Sequence, residues 1–526
     1  MKVFLFDTTL RDGAQGEGVN VSVKDKVKIA EKLDWFGMDF IEGGWPSSNP
    51  KDTEFFQKAA KKNWRGKICS FGSTCRVGVK AEDDLNLQAL VTCEAPATAI
   101  FAKTWDYQVT KVLGTSLEEN LRMIRDSVAF LVNNEIQVIF DAEHFFDGYK
   151  ANPEYALLCL ESAQQAGASW LALCDTNGGT LPHEVFEIVQ LCKERFTIPI
   201  GIHAHNDCEL AVANSIAAVQ AGATMVHGTF NGIGERCGNA NLCSVIPNLE
   251  LKMGYETSTR NNLDCLTETA RYVAEVANIA IPNHQPFVGH SAFTHKGGMH
   301  ANAVLKHPRT YEHITPETVG NDRRILMSEL AGTSNLTHKL EEMGINIEDK
   351  DILKKTIEQV KELEHKGFQF EGAEASLELL LYKIAGSYKE HFHLENIKVN
   401  VEKRGEEDYY SEAIIKLRIG DEIVHTAAEG NGPVNALDNA LRKALDETYP
   451  CITDMHLLDY KVRVLEGSQA TAAKVRVLIE SKDKEDHWST VGVSSNIIEA
   501  SWEALLDSMD YILLKKHLKD LGEKGE

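Results

Sequence analysis

The chain has 526 residues, 43% of them apolar, which is enough for two or three packed units, because a single core stops growing well before that length. Against 55 basic side chains stand 78 acidic ones, and the formal charge of −23 repels a nucleic-acid backbone or an anionic membrane over most of the surface. Disorder, nucleic-acid binding and membrane association are excluded as readings, and a carboxylated or phosphorylated substrate must meet a local cluster of Arg, Lys, His or metal.

The first residues, Met1-Lys2-Val3-Phe4-Leu5-Phe6, are apolar but are cut by Asp7, and they read as a strand and not as a signal peptide. No stretch approaches the roughly 18 apolar residues of a membrane helix. Eleven cysteines scattered from Cys69 to Cys451 form no CxxC pair, which fits reduced thiols in a cytoplasmic protein. Short β-branched and aromatic runs then recur eight times, at 3–9, 39–44, 67–74, 98–103, 137–145, 169–176, 199–206 and 225–234. Segments between them, such as 24–36, 117–133, 153–166 and 182–194, space apolar residues by three and four, and Gly37, Gly167 and Gly222 follow helical stretches where a left-handed terminus favours glycine. Eight strand–helix repeats predict a (β/α)8 TIM barrel. An open doubly wound sheet would carry GxGxxG after its first strand, and that pattern is missing.

Beyond about residue 260 the alternation stops. A helix is expected over 269–280, a charged helix over 348–364 and a break at 367–372. From about residue 395 the texture changes again, with strands at 397–403, 411–419 and 461–464 and helices at 435–446 and 496–513. Gly432-Pro433-Val434-Asn435-Ala436-Leu437-Asp438 recurs loosely as Gly492-Val493-Ser494-Ser495-Asn496-Ile497-Ile498-Glu499, which points to two similar β-then-α units in a small α+β domain. The expected division is a barrel at 1–265, helical linker subdomains at 266–390, and a small C-terminal α+β domain at 391–526.

Barrel chemistry sits at the C-terminal ends of strands. There the sequence places Arg11-Asp12, Asp141-Ala142-Glu143-His144, Asp175-Thr176, His203-Ala204-His205 and Gly234-Glu235-Arg236-Cys237-Gly238-Asn239. Residues two apart on a strand share a face, so His203 and His205 can offer two imidazoles to one ion, or they can be two hydrogen-bonded histidines of a polar face. With the Asp12 carboxylate and the Asn239 amide oxygen they make a mixed N/O set open to Zn, Mn, Mg or Co. Arg11 is either a surface ion pair or a planar donor for a keto oxygen, and Glu143 either a helix-start carboxylate or part of the site.

Asp7-Thr8-Thr9-Leu10-Arg11-Asp12-Gly13, the His203/His205 pair and the Gly234–Asn239 loop together resemble the family of 2-isopropylmalate, homocitrate and citramalate synthases. The resemblance continues through Lys296-Gly297-Gly298-Met299-His300-Ala301, Tyr311-Glu312-His313-Ile314 and Arg323-Arg324-Ile325-Leu326 to a tail similar to the family's allosteric domain. It implies a divalent metal on Asp12, His203, His205 and Asn239, contacts from Arg11 and Thr176 to a 2-oxo acid, and proton transfer by Glu143 and His300, with Tyr311 matching the expected tyrosine. Ala14-Gln15-Gly16-Glu17-Gly18 and Glu42-Gly43-Gly44-Trp45-Pro46 are most like the citramalate branch. That branch implies pyruvate and acetyl-CoA as substrates, isoleucine as feedback inhibitor of a homodimer, and a place in isoleucine biosynthesis.

The alternatives are the 2-isopropylmalate branch, which takes 2-oxoisovalerate, and a non-catalytic metal-binding regulatory barrel. A third, the lyase branch, places a reactive cysteine in a glycine loop; Cys237 lies in such a loop, but within Glu235-Arg236-Cys237-Gly238-Asn239, a context similar to the synthases.

Overall fold

In the computed structural model, which describes residues 1–326, 333–343, 345, 350–403, 409–465, 473–484 and 486–522, eight parallel strands pair in chain order and close into a barrel. They are β1 (Phe4–Asp7), β2 (Phe40–Gly44), β3 (Lys67–Ser73), β4 (Ala97–Lys103), β5 (Gln137–Glu143), β6 (Trp170–Asp175), β7 (Ile200–Ala204) and β8 (Met225–Gly228). Closure is the pairing of β1 with β8, Phe4 opposite Met225 and Asp7 opposite Gly228.

Alternation along each strand sorts the side chains. Val3 and Leu5 join the core between barrel and helices with Leu33 and Phe36, while Phe6 turns inward onto Phe40, Ile139, Ala172 and Met225. The barrel interior is filled largely by aromatic rings in edge-to-face and stacked pairs, such as Phe4 with Trp170 at 5.3 Å and Phe6 with Phe40 at 5.6 Å. Each such burial contributes on the order of 1.5–3 kcal/mol, so the polar rim rests on a rigid plug. Helix Val23–Phe36 begins at a capping box in which Ser22 and Asp25 bond each other's backbone N–H, and it ends at Gly37 with φ 113°. Gly167 and Gly222 likewise have positive φ.

Six of the eight strands end sooner than their composition suggests, β8 by the most. β7 ends at Ala204 and β8 at Gly228, because residues 229–239 leave the barrel in a tight excursion and return to bridge His205 through Asn239. Asn206 N–H donates to Gly238 O at 2.9 Å and Ala240 N–H to Ala204 O at 3.0 Å, which fixes that return.

By contacts the chain divides into two compact units, Met1–Phe293 with His313–Arg323, and Thr294–Glu312 with Arg324–Glu526. The helix expected at 269–280 is observed at Leu266–Ala277 in the first unit. In the second unit the two-residue strands β9 (Thr294–His295) and β10 (Arg324–Ile325) pair in parallel. Helices Gly298–Lys306, Thr333–Glu342, Lys350–Lys366 and Glu374–Ile384 follow the helical expectation for this region; Glu348 and Asp349 of the charged helix lie outside the described residues. Two antiparallel sheets come next, β11 (His393–Lys403), β12 (Tyr409–Ile419) and β13 (Glu422–Gly430), then β14 (His456–Val464), β15 (Val475–Lys482) and β16 (His487–Ser494). Helix Pro433–Leu445 follows the first sheet and Ile497–Gly522 the second, so each half is βββα, and Ile415, Leu417, Leu437, Leu441, Val477, Ile479, Leu505 and Met509 share one core. All eleven cysteines are free thiols, and among the described residues no helix is long and apolar enough to cross a membrane.

Candidate active site

Strand alternation and the Asn239 return bring four polar side chains together at the C-terminal end of the barrel. His203 and His205, on and just past β7, face their Nε2 atoms at 3.3 Å. Asp12 Oδ2 lies 3.4 Å from His203 Nε2 and 3.9 Å from His205 Nε2. All three side chains are buried, and one ligand atom from each falls within 4.8 Å of the others. Asn239 is buried beside them, its position set by the backbone bridge to His205.

This donor set fits a divalent cation. Asp12 Oδ1 and Asn239 Oδ1 are buried without a hydrogen-bond partner among the described residues, and buried oxygens are costly unless a cation or donor meets them. Burial, followed by the charge of His203, lowers the His205 pKa to about 4, so its imidazole is neutral and free to ligate. Burial opposes ionisation of Asp12, but Arg11 and the two histidines outweigh it and hold the carboxyl well below its usual range.

Arg11 is positioned from three sides. Its Nε donates to Glu42 Oε2 at 2.7 Å, its Nη1 to Asp12 Oδ2 at 3.1 Å, and its guanidinium lies 3.7 Å over the Phe71 ring. Burial works against the charge, yet Glu42 and Asp12 raise the Arg11 pKa, so it remains a cation. Thr176 Oγ1 accepts from His144 N–H at 2.8 Å, which leaves its own hydroxyl proton available to a ligand. Glu143 pairs with Lys103 at 2.6 Å. A cavity of about 220 Å³ is lined by Arg11, Asp12, Glu143, Thr176, His203 and His205, and the aromatic residues Trp45, Phe71 and Phe101 line the same space.

Of the residues singled out from sequence, Arg11, Asp12, Glu143, Thr176, His203 and His205 thus share one cavity, and Asn239 adjoins the histidines. His300 and Tyr311 belong to the second unit, where their rings stack at 4.1 Å. Lys103 carries no motif, and Glu42 and Asp141 stand in motifs that assign them no role of their own. Each stands near the end of a barrel strand, and inward register on a fully buried strand was the signal that could have found Glu42, two residues after the inward Phe40. Burial raises the Asp141 pKa to about 7; its Oδ1 lies 3.9 Å from His227 Nδ1 beneath His203. Arg236, in the Gly234–Asn239 motif, donates to both Asp207 oxygens and to Thr176 O, tying three rim loops.

Residues 2–273 match the HMGL-like family model, 287–367 the homocitrate synthase post-HMGL domain-like model, and 371–513 the LeuA allosteric (dimerisation) domain. The (R)-citramalate synthase of Aquifex aeolicus is 57% identical over 98% of both chains, and that of Geobacter sulfurreducens 53% identical over 98% of both. A 2-isopropylmalate synthase of Methanocaldococcus jannaschii is 33% identical over 98% of this chain and 95% of its own. The chain belongs to the HMGL-like family, in the group that joins (R)-citramalate synthases and 2-isopropylmalate synthases, and it stands with the (R)-citramalate synthases.

Proposed function

We propose that this chain condenses the methyl carbon of acetyl-CoA with the keto carbon of pyruvate and hydrolyses the thioester, giving (R)-citramalate and CoA. The observation that carries this reading is the convergence of Asp12, His203 and His205 beside Arg11 in a small cavity with an aromatic wall. The names of the relatives at 57% and 53% identity support it.

Asp12, His203, His205 and Asn239 would hold a divalent cation, which supplies Lewis acidity toward the carboxylate and keto oxygens of the 2-oxo acid. Arg11, held flat by Glu42 and Phe71, donates to the keto oxygen as negative charge grows there. The Thr176 hydroxyl donates to the substrate carboxylate. A thioester methyl is far less acidic than any side chain, so its proton leaves only with a placed base and stabilisation of the enolate. Glu143 and His300 carry that proton transfer in this reading, and Tyr311, stacked on His300, orients the imidazole.

Residues 1–265 form the catalytic barrel, 266–390 the linker subdomains that contribute His300 and Tyr311, and 391–526 the regulatory domain; the three family matches, at 2–273, 287–367 and 371–513, support the order of three parts. The last of them supports a homodimer with an allosteric tail, and the proposal extends to isoleucine as the end-product inhibitor that this tail receives and to a cytoplasmic biosynthetic role.

The test is release of free thiol from acetyl-CoA on adding pyruvate. Chelation and His203→Ala should each remove turnover, and a divalent metal should restore it in the chelated wild type only. Full activity after exhaustive chelation would refute the metal assignment.

A further inference from the structure

The cavity's aromatic wall is held from outside the cavity. Phe71 and Phe101 stack at 5.3 Å with planes 17° apart, and the Trp45 indole stands edge-on to both, at 5.6 and 5.7 Å. An indole edge can pivot about two side-chain torsions, so packing alone leaves room for other rotamers. Here both ends are tied. Trp45 N–H donates to Asp52 Oδ2 at 2.9 Å, and Trp45 Nε1–H donates to Asn86 Oδ1 at 2.6 Å.

Asn86 is itself fixed. It is buried in the first turn of helix Leu85–Thr92, where its backbone N–H donates to the cap Asp84, and its Nδ2 donates to Ser73 O at the end of β3. That donation orients the amide so that Oδ1 faces Trp45, and Ser47 Oγ donates to the same oxygen at 2.9 Å. Asn86 is not among the residues lining the cavity.

We propose that Asn86 is a positioning residue for substrate size: by locking the Trp45 indole against Phe71 and Phe101, it keeps the cavity fitted to the shortest 2-oxo acid side chain and closed to longer ones. This rests on reading the cavity as the 2-oxo acid site. Loss of the Asn86 acceptor frees the indole to swing, which opens room for an added methylene without touching Arg11, Asp12 or the histidines. Discrimination of one methylene by an apolar wall is worth about 10–200-fold, and that is the selectivity the lock protects.

The test measures kcat/KM for pyruvate, 2-oxobutyrate and 2-oxoisovalerate on the full-length metal-loaded wild type, Asn86→Leu, Trp45→Phe and the double variant. Asn86→Leu keeps volume and removes the acceptor. Its pyruvate to 2-oxobutyrate ratio should fall roughly tenfold, mainly through a lower KM for 2-oxobutyrate, and the double variant should fall no further than Trp45→Phe, because both act through one contact. A folded, active Asn86→Leu with the wild-type ratio overturns the assignment, as does additivity in the double variant. Should Asn86→Leu not fold, Trp45→Phe removes the same hydrogen bond from the indole side, and an unchanged ratio there overturns it. The wild-type values separately decide the substrate: a preference for 2-oxoisovalerate defeats pyruvate, whereas the variant ratios decide the role of Asn86 whichever acid is preferred.

Discussion

Asp7 and Asp12, five residues apart at the end of β1, show how surroundings divide the work between identical side chains. Asp12 faces Arg11 and two imidazoles, which keep it ionised despite burial. Asp7 faces Thr9, whose N–H and hydroxyl both donate to it, and these bonds only partly offset a burial that lifts its pKa to about 7. Because the folded value lies above the ordinary value of 3.8, Asp7 favours folding below about pH 4, and that contribution is lost as pH rises through about 7. Asp7→Asn, which keeps an acceptor for Thr9 N–H, should therefore flatten stability against pH between 4 and 8, with a gain relative to wild type at pH 8 on the order of a few kcal/mol. Denaturant melts at both pH values check this, and parallel wild-type and variant curves would contradict it.

At the scale of elements, the loop that returns Asn239 to His205 makes the site, and its glycines permit it, with Gly232, Gly234 and Gly238 all at positive φ. Gly238 has φ 90°, and a Cβ there would meet Gly232 O at 2.0 Å. Gly238→Ala should leave the barrel folded, because the loop lies at the rim, but should weaken divalent-metal binding about 10-fold or more by displacing Asn239. Metal titration by calorimetry, with a circular dichroism melt beside it, reads both; unaltered affinity would contradict the role given to this loop. The barrel strands were legible in sequence because strands buried on both sides read as continuous apolar runs, as do the first five residues of Trp170–Asp175. Their polar ends stood out for the same reason. β13, β15 and β16 were not singled out: β13 alternates exposed and half-buried residues, and Val475–Lys482 interleaves Arg476, Glu480 and Lys482 with its valines, so neither makes an apolar run. Glu42 and Lys103 stayed hidden because pairing across strands depends on register, which only the closed barrel supplies.

For the whole molecule, the net charge of −23 and an anionic substrate fit together through the inventory of the cavity. Arg11 and Arg236 line it together with Asp12, Asp141, Glu143 and Glu235, so the positive charge that a 2-oxo acid must meet there would come from Arg11 and from a divalent cation on Asp12, His203 and His205. The aromatic wall of Trp45, Phe71 and Phe101 then decides which 2-oxo acid fits. The direct measurement is a competition: metal-loaded enzyme, acetyl-CoA carrying carbon-13 at its methyl, and equal concentrations of pyruvate and 2-oxoisovalerate, with products identified by mass and by the carbon-13 signal of the new carbon–carbon bond. The expected result is label in (R)-citramalate in at least tenfold excess over 2-isopropylmalate; label found mainly in 2-isopropylmalate, or only in free acetate, would contradict it.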